Sequence, residues 1–268
     1  MSYFKHLSSF AQTDIGRRRA ANEDSILVLE EHGIYCVADG IGGSAGGAGS
    51  SSALVDAVTK LFDELPDPGL VRTAAGKSRL IRHNAQLVSS YIKGKSDELG
   101  FRHAGTTAMM MLFDSDDPTK AVTLHAGDSP AYRYRNDTLA QITVDHTYAA
   151  QLPPEAVEKM PQKMRGVITR AVGVKPEVDL EENTVDVQAG DLYLLFSDGV
   201  TNMVHDTLLL GLIRAYQDDG LDALVKAIVD AANDAGGRDN ISVVVIAVGE
   251  AEARDANASD GSDEVTEA

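Results

Sequence analysis

Short apolar runs that stop at acidic residues constrain the fold of this chain more than any other feature. Gly33–Ala38 leads directly into Asp39, and Leu192–Phe196 leads into Ser197 and Asp198. Apolar runs of this length, bounded by turn residues, are typical of buried strands. Acidic residues mark the start or end of such strands at four places: Asn22-Glu23-Asp24, Asp39-Gly40, Ser197-Asp198-Gly199 and Asp239-Asn240.

Carboxylates brought together in a fold repel one another, because like charges a few ångströms apart resist joint ionisation. A site that gathers four of them needs counter-charge, which hard divalent cations with oxygen ligands usually supply. Two divalent ions would balance four carboxylates. The pattern therefore points to a two-metal site of the hydrolytic kind.

The length and composition favour one large domain followed by a tail. The 268 residues are 43% hydrophobic, and no linker rich in proline, glycine or serine divides them. From Glu250 onward the chain carries seven acidic residues and one basic residue, with almost no large apolar side chain. We therefore expect a domain over residues 1–249 and a disordered acidic tail over residues 250–268.

Charge and cysteine content exclude several classes of protein. A net charge of −17 argues against nonspecific binding to nucleic acid or to an anionic membrane. The single cysteine, Cys36, rules out a disulfide framework or a zinc cluster of cysteines. The first residues lack an apolar signal core, and no run approaches the roughly 18 apolar residues of a membrane span. We expect a soluble cytoplasmic protein that is monomeric.

The hydrophobic pattern predicts strands covered by helices rather than repeating strand–helix–strand units. A hairpin is expected from Ser25–Glu30 and Gly33–Ala38. Helical spacing predicts helices at Ala53–Leu65, Val71–Lys93, Asp206–Gln217 and Gly220–Asn233. The other predicted strands are Gly105–Phe113, Lys120–Ala126, Ala131–Arg135, Thr138–Ile142, Thr184–Val187, Asp191–Phe196 and Ile241–Val248, with a loop or flap in Val144–Gly173.

The arginine-rich segment before Glu23 is the first candidate site. Arg19 lies four residues before Glu23, so a guanidinium could grip a substrate phosphate while the carboxylate holds a metal. Three adjacent arginines are equally typical of an exposed loop, and that alternative stays open at this point.

The glycine-rich segment after Asp39 is the second candidate site. Small residues there let the backbone approach a ligand, so the Gly40 carbonyl could join Asp39 in binding a metal. A glycine-rich turn before a helix is the alternative. Taken alone, Asp198 and Asp239 are also compatible with turns or helix caps.

Together, and in this order, the motifs resemble the type 2C family of metal-dependent Ser/Thr protein phosphatases, in particular its bacterial members. The resemblance runs from about position 10 to position 248, and the ordered set of motifs is highly specific. It includes further matches at Ala104–Ala108, Ala126–Tyr132, Asp145–Thr147 and Ile168–Gly173. The resemblance implies an α+β fold, a four-layer α-β-β-α sandwich with two central antiparallel sheets flanked by helix pairs.

The same resemblance implies the ligand set of a binuclear centre. Asp39 would bridge two Mn²⁺ or Mg²⁺ ions, Asp198 and Asp239 would hold one of them, and Glu23 with the Gly40 carbonyl would hold the other. The bridging water would then be acidified and attack phosphorus in line, without a phosphoenzyme.

Four further residues receive roles from the resemblance. Asp128 matches the position that, with Asp198, can bind a third and weaker ion. Arg19 matches the arginine that grips the phosphate. Asp24 and Asn240 are expected to orient ligands rather than to bind metal directly. The implied substrates are phosphoserine and phosphothreonine in proteins that a cognate Ser/Thr kinase phosphorylates.

The chain departs from the family pattern at three places. Members often carry a histidine just after the Asp-Gly or Gly-Gly pair as a candidate acid, but Ile41 and Ser44 stand there, so water is the remaining candidate. Pro130 occupies a position where arginine is common. The flap, Tyr148–Lys163, looks compact and contains Pro153-Pro154. A pseudophosphatase that only binds phosphoproteins or a kinase is therefore an alternative.

Two other classes of phosphatase fit poorly. A cysteine phosphatase needs an arginine six residues after its cysteine, and Gly42 stands there relative to Cys36. Asp114-Ser115-Asp116 resembles a haloacid-dehalogenase nucleophile, but Pro118 follows it and we predict an acidic turn. For His146 a structural hydrogen bond is expected rather than catalysis.

Overall fold

Two antiparallel five-stranded sheets form the centre of the molecule in the computed structural model, which describes residues 4–65, 71–101 and 103–251. The predicted break at 66–69 and all but two residues of the predicted tail lie outside the described residues. In chain order the strands are β1 (Leu7–Asp14), β2 (Ser25–Leu29), β3 (Ile34–Ala38), β4 (Gly40–Ile41), β5 (Gly105–Thr106), β6 (Ala108–Phe113), β7 (Lys120–Ala126), β8 (Ala131–Arg135), β9 (Thr138–Gln141), β10 (Glu181–Asp186), β11 (Leu192–Phe196) and β12 (Ile241–Val248).

The order of strands is β1-β12-β11-β8-β9 in the first sheet and β10-β7-β6-β3-β2 in the second. The short strands β4 and β5 pair separately. The helices are α1 (Ser44–Asp63), α2 (Ala74–Leu99), α3 (Pro154–Lys159), α4 (Gln162–Arg165), α5 (Asp198–Thr201), α6 (Asp206–Tyr216) and α7 (Leu221–Asp234).

The central strands are buried on both faces, which is why they read as unbroken apolar runs. In β3, Cys36 packs towards α1 and α2, while Tyr35 and Val37 pack towards the other sheet. In β12, Val243 packs towards α6 and α7, while Val244 packs between the sheets. Successive side chains of a strand point to opposite faces, so each strand contributes to two core layers.

The helix pairs complete the four layers. Helices α1 and α2 cover the second sheet, and helices α6 and α7 cover the first. Aromatic edge contacts join the sheets across the middle, because the Phe113 ring meets both Tyr35 and Tyr193 at centroid distances of 5.9 and 5.8 Å. The predicted four-layer sandwich is confirmed.

The predicted hairpin and most predicted strands are present, and the differences have local causes. Helix α1 begins at Ser44, not at Ala53, so its glycine-rich start is helical. A Cβ at Gly47 would lie 2.0 Å from Glu23 Oε2. The small residues there therefore permit close packing rather than a turn.

Two edge strands were poorly predicted. Strand β1 was not predicted, because its polar and apolar residues alternate weakly and it pairs on one side only, with β12. Strand β10 spans Glu181–Asp186 rather than Thr184–Val187. The long middle run Gly105–Phe113 is divided at Thr107, and the predicted flap contains α3, α4 and a 3₁₀ turn at Ala149–Gln151.

Candidate metal centre

The four acidic residues proposed as metal ligands lie at one end of the sandwich. Glu23 precedes β2 and Asp39 follows β3, on the second sheet. Asp198 follows β11 and Asp239 precedes β12, on the first sheet. Antiparallel neighbours begin and end together, so the register of each sheet brings its pair of acids to the same edge.

The pairing of the strands shows how each sheet brings two acidic residues to the same edge. In the second sheet Ser25 is opposite Ala38, and in the first sheet Phe196 is opposite Val243. Thr107, which lies between β5 and β6, holds the backbone of Asp39. Its Oγ1 accepts a hydrogen bond from the Asp39 N–H at 2.9 Å. The Thr107 N–H in turn donates to the Asp39 carbonyl at 2.8 Å. Asp39 is therefore held at its backbone while its carboxylate faces the cluster.

Asp39 lies at the electrostatic centre of the cluster. Burial raises the pKa of its carboxyl well above the ordinary value, and repulsion from Asp24, Asp198, Asp128 and Asp239 raises it further. Four carboxylates close enough to act on a fifth confirm that the acidic segments converge. Such a site favours a bound cation, which would offset the repulsion.

Three neighbouring carboxyls show the same effect. Burial raises the pKa of Asp198 to about 6, with repulsion from Asp239 and Asp24 adding to it. Burial raises the pKa of Asp24 to about 6 and that of Asp128 to about 7. Perturbed groups of this kind cluster at functional sites.

Unpartnered oxygen atoms support a metal at this place. Asp198 Oδ1 and Asp24 Oδ1 are buried and have no hydrogen-bond partner among the described residues. Buried polar atoms normally have a partner, so such oxygens indicate a ligand. No three of the acidic side chains, within the described part, bring oxygen atoms to within 4.8 Å of one another. Binding of one ion by Asp39, Asp198 and Asp239 together would therefore require these side chains to move closer to one another.

Small residues make room for the Glu23 carboxylate. The Glu23 carbonyl accepts hydrogen bonds from the Ser51 hydroxyl and from the Gly40 N–H, at 2.6 and 3.1 Å. A Cβ on Gly40 would lie 2.4 Å from the Gly47 carbonyl carbon. Glycine is therefore required at position 40 for the approach of α1, and metal binding by the Gly40 carbonyl stays a prediction.

Arg19 lies beside the cluster and is partly open to solvent. Its Nη2 atom is 2.5 Å from Asp239 Oδ2, and its side chain is 45% exposed. The hydrogen bond that Arg19 donates to Asp239 raises the pKa of Arg19, so the guanidinium stays cationic. A cation beside the acidic cluster and open to solvent can bind a phosphate.

The Asn240 side chain forms hydrogen bonds with three backbone groups of the loop between β1 and β2. The residue is 3% exposed, and its Oδ1 accepts a hydrogen bond from the Glu23 N–H at 2.9 Å. Its Nδ2 donates to the carbonyls of Ile15 and Ala21, at 3.0 Å each. Asp24 is fixed similarly, because Ser242 Oγ donates to its Oδ2 at 2.7 Å. The orienting roles of Asn240 and Asp24 stay predictions.

Asp128 sits in a tight loop between β7 and β8. Gly127 before it has a φ of 111°, and Ser129 after it shares a 2.7 Å hydrogen bond with Thr107. The sequence reasoning matched this segment but missed Thr107 and Ser129 as supports. Only their positions beside Asp39 and Asp128 could have indicated that role.

Two buried histidines near this loop were not predicted to meet. The rings of His125 and His146 are stacked, with centroids 4.5 Å apart and planes at 7°. Together with Glu181 they resemble a metal-binding group. Ring nitrogens bind metal in the plane of the ring, however, and two parallel stacked planes cannot both contain one ion. The cluster is therefore structural, as expected for His146.

A comparison with protein families decides the classification. The model of the protein phosphatase 2C family matches residues 13–241. The chain belongs to the protein phosphatase 2C family. The proposed ligands Glu23, Asp39, Asp128, Asp198 and Asp239 all fall within the matched span, and the family consists of Ser/Thr protein phosphatases.

Curated relatives of this phosphatase come from bacteria. Protein phosphatase PhpP of Streptococcus pneumoniae is 30% identical over 251 residues, which is 90% of this chain and 97% of PhpP. Serine/threonine protein phosphatase PstP of Mycobacterium tuberculosis is 31% identical over 244 residues, covering 88% of this chain and 44% of PstP.

Solved structures share the fold. The catalytic domain of PstP in complex with two manganese ions has a TM-score of 0.74 and 30% identity, covering 91% of this phosphatase and 99% of that chain. PppA, a regulatory component of the type VI secretion system in Pseudomonas aeruginosa, has a TM-score of 0.80 and 28% identity. The match covers 91% of this phosphatase and 99% of the PppA chain. Within the described residues, no helix of this phosphatase has the length and apolar character needed to cross a bilayer.

Proposed function

We propose that this phosphatase hydrolyses phosphoserine and phosphothreonine in proteins at a centre of two Mn²⁺ or Mg²⁺ ions. The observation that carries the proposal is the convergence of Glu23, Asp39, Asp198 and Asp239 at one end of the two sheets. Family membership, and a relative that binds two manganese ions, support it. Residues 1–249 would form the catalytic domain, with residues 250–268 as a separate acidic segment.

The residues present fit the proposed ions. Hard divalent cations prefer carboxylate and carbonyl oxygens, and the cluster offers both types. Asp39 would contact both ions, Asp198 and Asp239 one, and Glu23 with the Gly40 carbonyl the other. When bound, such ions acidify coordinated water and stabilise negative charge on the phosphoryl group. Asp128 and Asp198 would accommodate a weaker third ion.

The protein's own residues position the substrate. Arg19 would donate hydrogen bonds to the phosphate oxygens, and the buried ligand network would keep the carboxylates in place during attack on phosphorus. The phosphorus–oxygen ester bond breaks as water adds, giving inorganic phosphate and a free Ser or Thr hydroxyl. The leaving oxygen must collect a proton.

Solvent is the proposed source of that proton. Ile41 follows the Asp39-Gly40 pair and cannot donate one. A partly open cavity of about 530 Å³ is lined by Ile41, His103 and residues between positions 166 and 179. Arg170 and Lys175 line it together with apolar residues, so the cavity could also receive the peptide around the phosphorylated residue.

Manganese-dependent hydrolysis tests the proposal. Purified full-length protein should hydrolyse p-nitrophenyl phosphate and a phosphothreonine peptide with added MnCl₂, and should lose both activities in EDTA. Asp239→Asn is the inactive variant, and Asp230→Asn, on the exposed face of α7, is the matched control. Binding of phosphopeptide without turnover at any manganese concentration would favour the pseudophosphatase instead.

A further inference from the structure

Two loops beside the metal centre bring four arginines together. Arg17, Arg18 and Arg19 lie in the loop between β1 and β2, and Arg238 lies between α7 and β12. The loops touch through their backbones, because the Arg17 N–H donates to the Gly237 carbonyl at 2.7 Å.

The two loops pack so closely that neither Gly16 nor Gly237 has space for a Cβ atom. A Cβ added to Gly16 would lie 2.1 Å from the Asp239 carbonyl oxygen. A Cβ added to Gly237 would lie 2.8 Å from the Arg17 side chain. The arginines are therefore held at fixed positions relative to Asp239, not on a freely moving loop.

Among the described residues, only Arg19 of these four arginines forms an ion pair with an acidic residue of the cluster, Asp239. Arg17, Arg18 and Arg238 are exposed, and none forms an ion pair with any residue in the described part of the chain. Asp14, three residues before Arg17, does not pair with them, because its Oδ1 accepts hydrogen bonds from the Gly16 N–H and from Asn233. We call these three residues the arginine surface.

This surface is unusual in a chain with 41 acidic and 24 basic residues. The overall field of such a protein repels anions at long range, so any attraction must be local. Arginine is well suited to local attraction, because its planar guanidinium pairs with carboxylates through two parallel hydrogen bonds. The arginine surface therefore fits a negatively charged segment lying next to the phosphate.

The spacing indicates where that charge would lie. Arg17 is two residues from Arg19, so their backbones are at most about 7 Å apart. An extended substrate advances roughly 3.3–3.6 Å per residue. Anionic side chains within about three positions of the phosphorylated residue would thus reach the arginine surface while Arg19 holds the phosphate.

We infer that the arginine surface selects substrates in which Asp or Glu residues flank the phosphorylated Ser or Thr. This inference rests on the proposed phosphatase activity and adds the class of substrate. None of the three arginines touches the reacting atoms, so their contribution is to the recognition of the peptide.

The test compares three phosphothreonine peptides that differ only in their flanking residues, which are Glu, Gln or Lys. The wild type should have a kcat/KM about tenfold higher for the Glu peptide than for the Gln peptide, since exposed charge pairs contribute modestly and three act together. Arg17→Gln, Arg18→Gln and Arg238→Gln combined should bring this ratio close to one. Raised salt should reduce the wild-type ratio as well.

A matched variant controls for net charge. Lys60→Gln, Arg79→Gln and Lys95→Gln remove the same charge from exposed positions on α1 and α2, and this variant should keep the wild-type ratio. A peptide with a second phosphothreonine in place of the Glu residues provides a further arm. A greater preference for that peptide than for the Glu peptide would make the recognised group a phosphate and overturn the inference as stated.

The remaining outcomes are also decisive. Equal kcat/KM for all three peptides, or an acidic preference that survives the triple substitution, would overturn the inference while leaving the phosphatase activity intact. No turnover of any peptide or of p-nitrophenyl phosphate would instead remove the proposed function. Inhibition of the wild type, but not of the triple variant, by a synthetic peptide of residues 250–268, with no preference among substrates, would assign the surface to the chain's own acidic segment.

Discussion

The Asn240 side chain holds the backbone of Glu23, with Oδ1 2.9 Å from the Glu23 nitrogen. These residues precede strands of different sheets, so one amide fixes the position of Glu23, a proposed ligand, beside the second sheet relative to Asp239 beside the first. Networks that orient metal ligands are often worth 10- to 100-fold in metal affinity. The contact accounts for a buried asparagine at the start of β12.

Asn240→Ala should therefore weaken manganese binding about 10-fold or more. The Glu23 N–H and two carbonyls lose their partner, so the free energy of unfolding should also fall by roughly 1–3 kcal/mol. Isothermal titration calorimetry with MnCl₂ measures the first effect and denaturant unfolding in EDTA the second. Asn183→Ala, at the edge strand β10, is the control, and equal manganese affinity in both variants would refute the orienting role.

Metal-free protein should become less stable as the pH rises. The folded-state pKa is about 6 for Asp198 and Asp24 and about 7 for Asp128, against an ordinary value of 3.8. A raised carboxyl pKa means that the folded state binds the proton more tightly than the unfolded chain, so stability is lost between about pH 4 and pH 7. The loss should amount to a few kcal/mol, on the order expected for such shifts.

Melting temperature in EDTA, measured from pH 5 to pH 8.5, checks this dependence. The melting temperature should fall over the range, and saturating MnCl₂ should abolish the fall because the cations offset the repulsion. Asp198→Asn should flatten the metal-free profile in part. A wild-type profile that rises with pH in EDTA would contradict the assigned cluster.

The convergence of the acidic residues could largely be predicted from the sequence, because the proposed ligands follow or precede strong apolar strands. The apolar run Gly33–Ala38 predicts where Asp39 lies, whereas the packing of the two sheets on each other brings Asp198 near it. Polar supports carry no comparable signal. Thr107 and Ser129 look like ordinary strand and loop residues until the split between β5 and β6 places them against Asp39 and Asp128.

The edge strands were also hard to predict from the hydrophobic pattern. Strand β1 pairs on one side only and has polar residues at alternate positions, so its hydrophobic pattern is weak. The start of α1 was missed for a different reason. Gly46 and Gly47 lower helix propensity, but a Cβ at Gly47 would collide with the Glu23 carboxylate, a tertiary requirement that local preference does not reveal.

Asp239→Asn should abolish turnover while leaving the metal-free fold intact. The substitution keeps the shape of the side chain but removes a charge that the metal would need, and it also relieves repulsion on Asp39 and Asp198. We therefore expect a melting temperature in EDTA at least equal to that of the wild type, and a smaller gain on adding MnCl₂. Wild-type turnover under excess manganese would show that Asp239 is not a ligand.

Arg19→Ala should act on the substrate rather than on the metals. Charge-assisted hydrogen bonds to phosphate are each worth about 1.5–3 kcal/mol, so kcat/KM should fall about 10- to 100-fold. Because Arg19 also pairs with Asp239, its removal should leave manganese affinity unchanged or higher. Steady-state kinetics and calorimetry separate the two effects, with Arg133→Ala on β8 as control. A fall in manganese affinity would contradict the assignment to phosphate.

His146 should affect the weakest ion site and not the central pair. Its Nδ1 accepts a hydrogen bond from the Gly127 N–H at 3.2 Å, so its Nε2 carries the proton that faces Glu181 at 3.1 Å. His146→Ala removes this side-chain hydrogen bond to the loop that carries Asp128 and leaves the backbone bond from the His146 N–H to the Gly127 carbonyl in place. We expect a lower kcat and a higher manganese concentration for half-maximal activity, while the tight manganese affinity measured by calorimetry stays unchanged.

His146→Asn tests whether that effect comes from the hydrogen bond. The Asn side-chain oxygen can accept from the Gly127 N–H in place of Nδ1, so this variant should recover part of the lost kcat, whereas His146→Leu should not. His83→Ala, on the exposed face of α2, controls for the loss of a histidine. If Asn and Leu behave alike, or if Ala abolishes tight manganese binding, His146 does not act through Gly127 on Asp128.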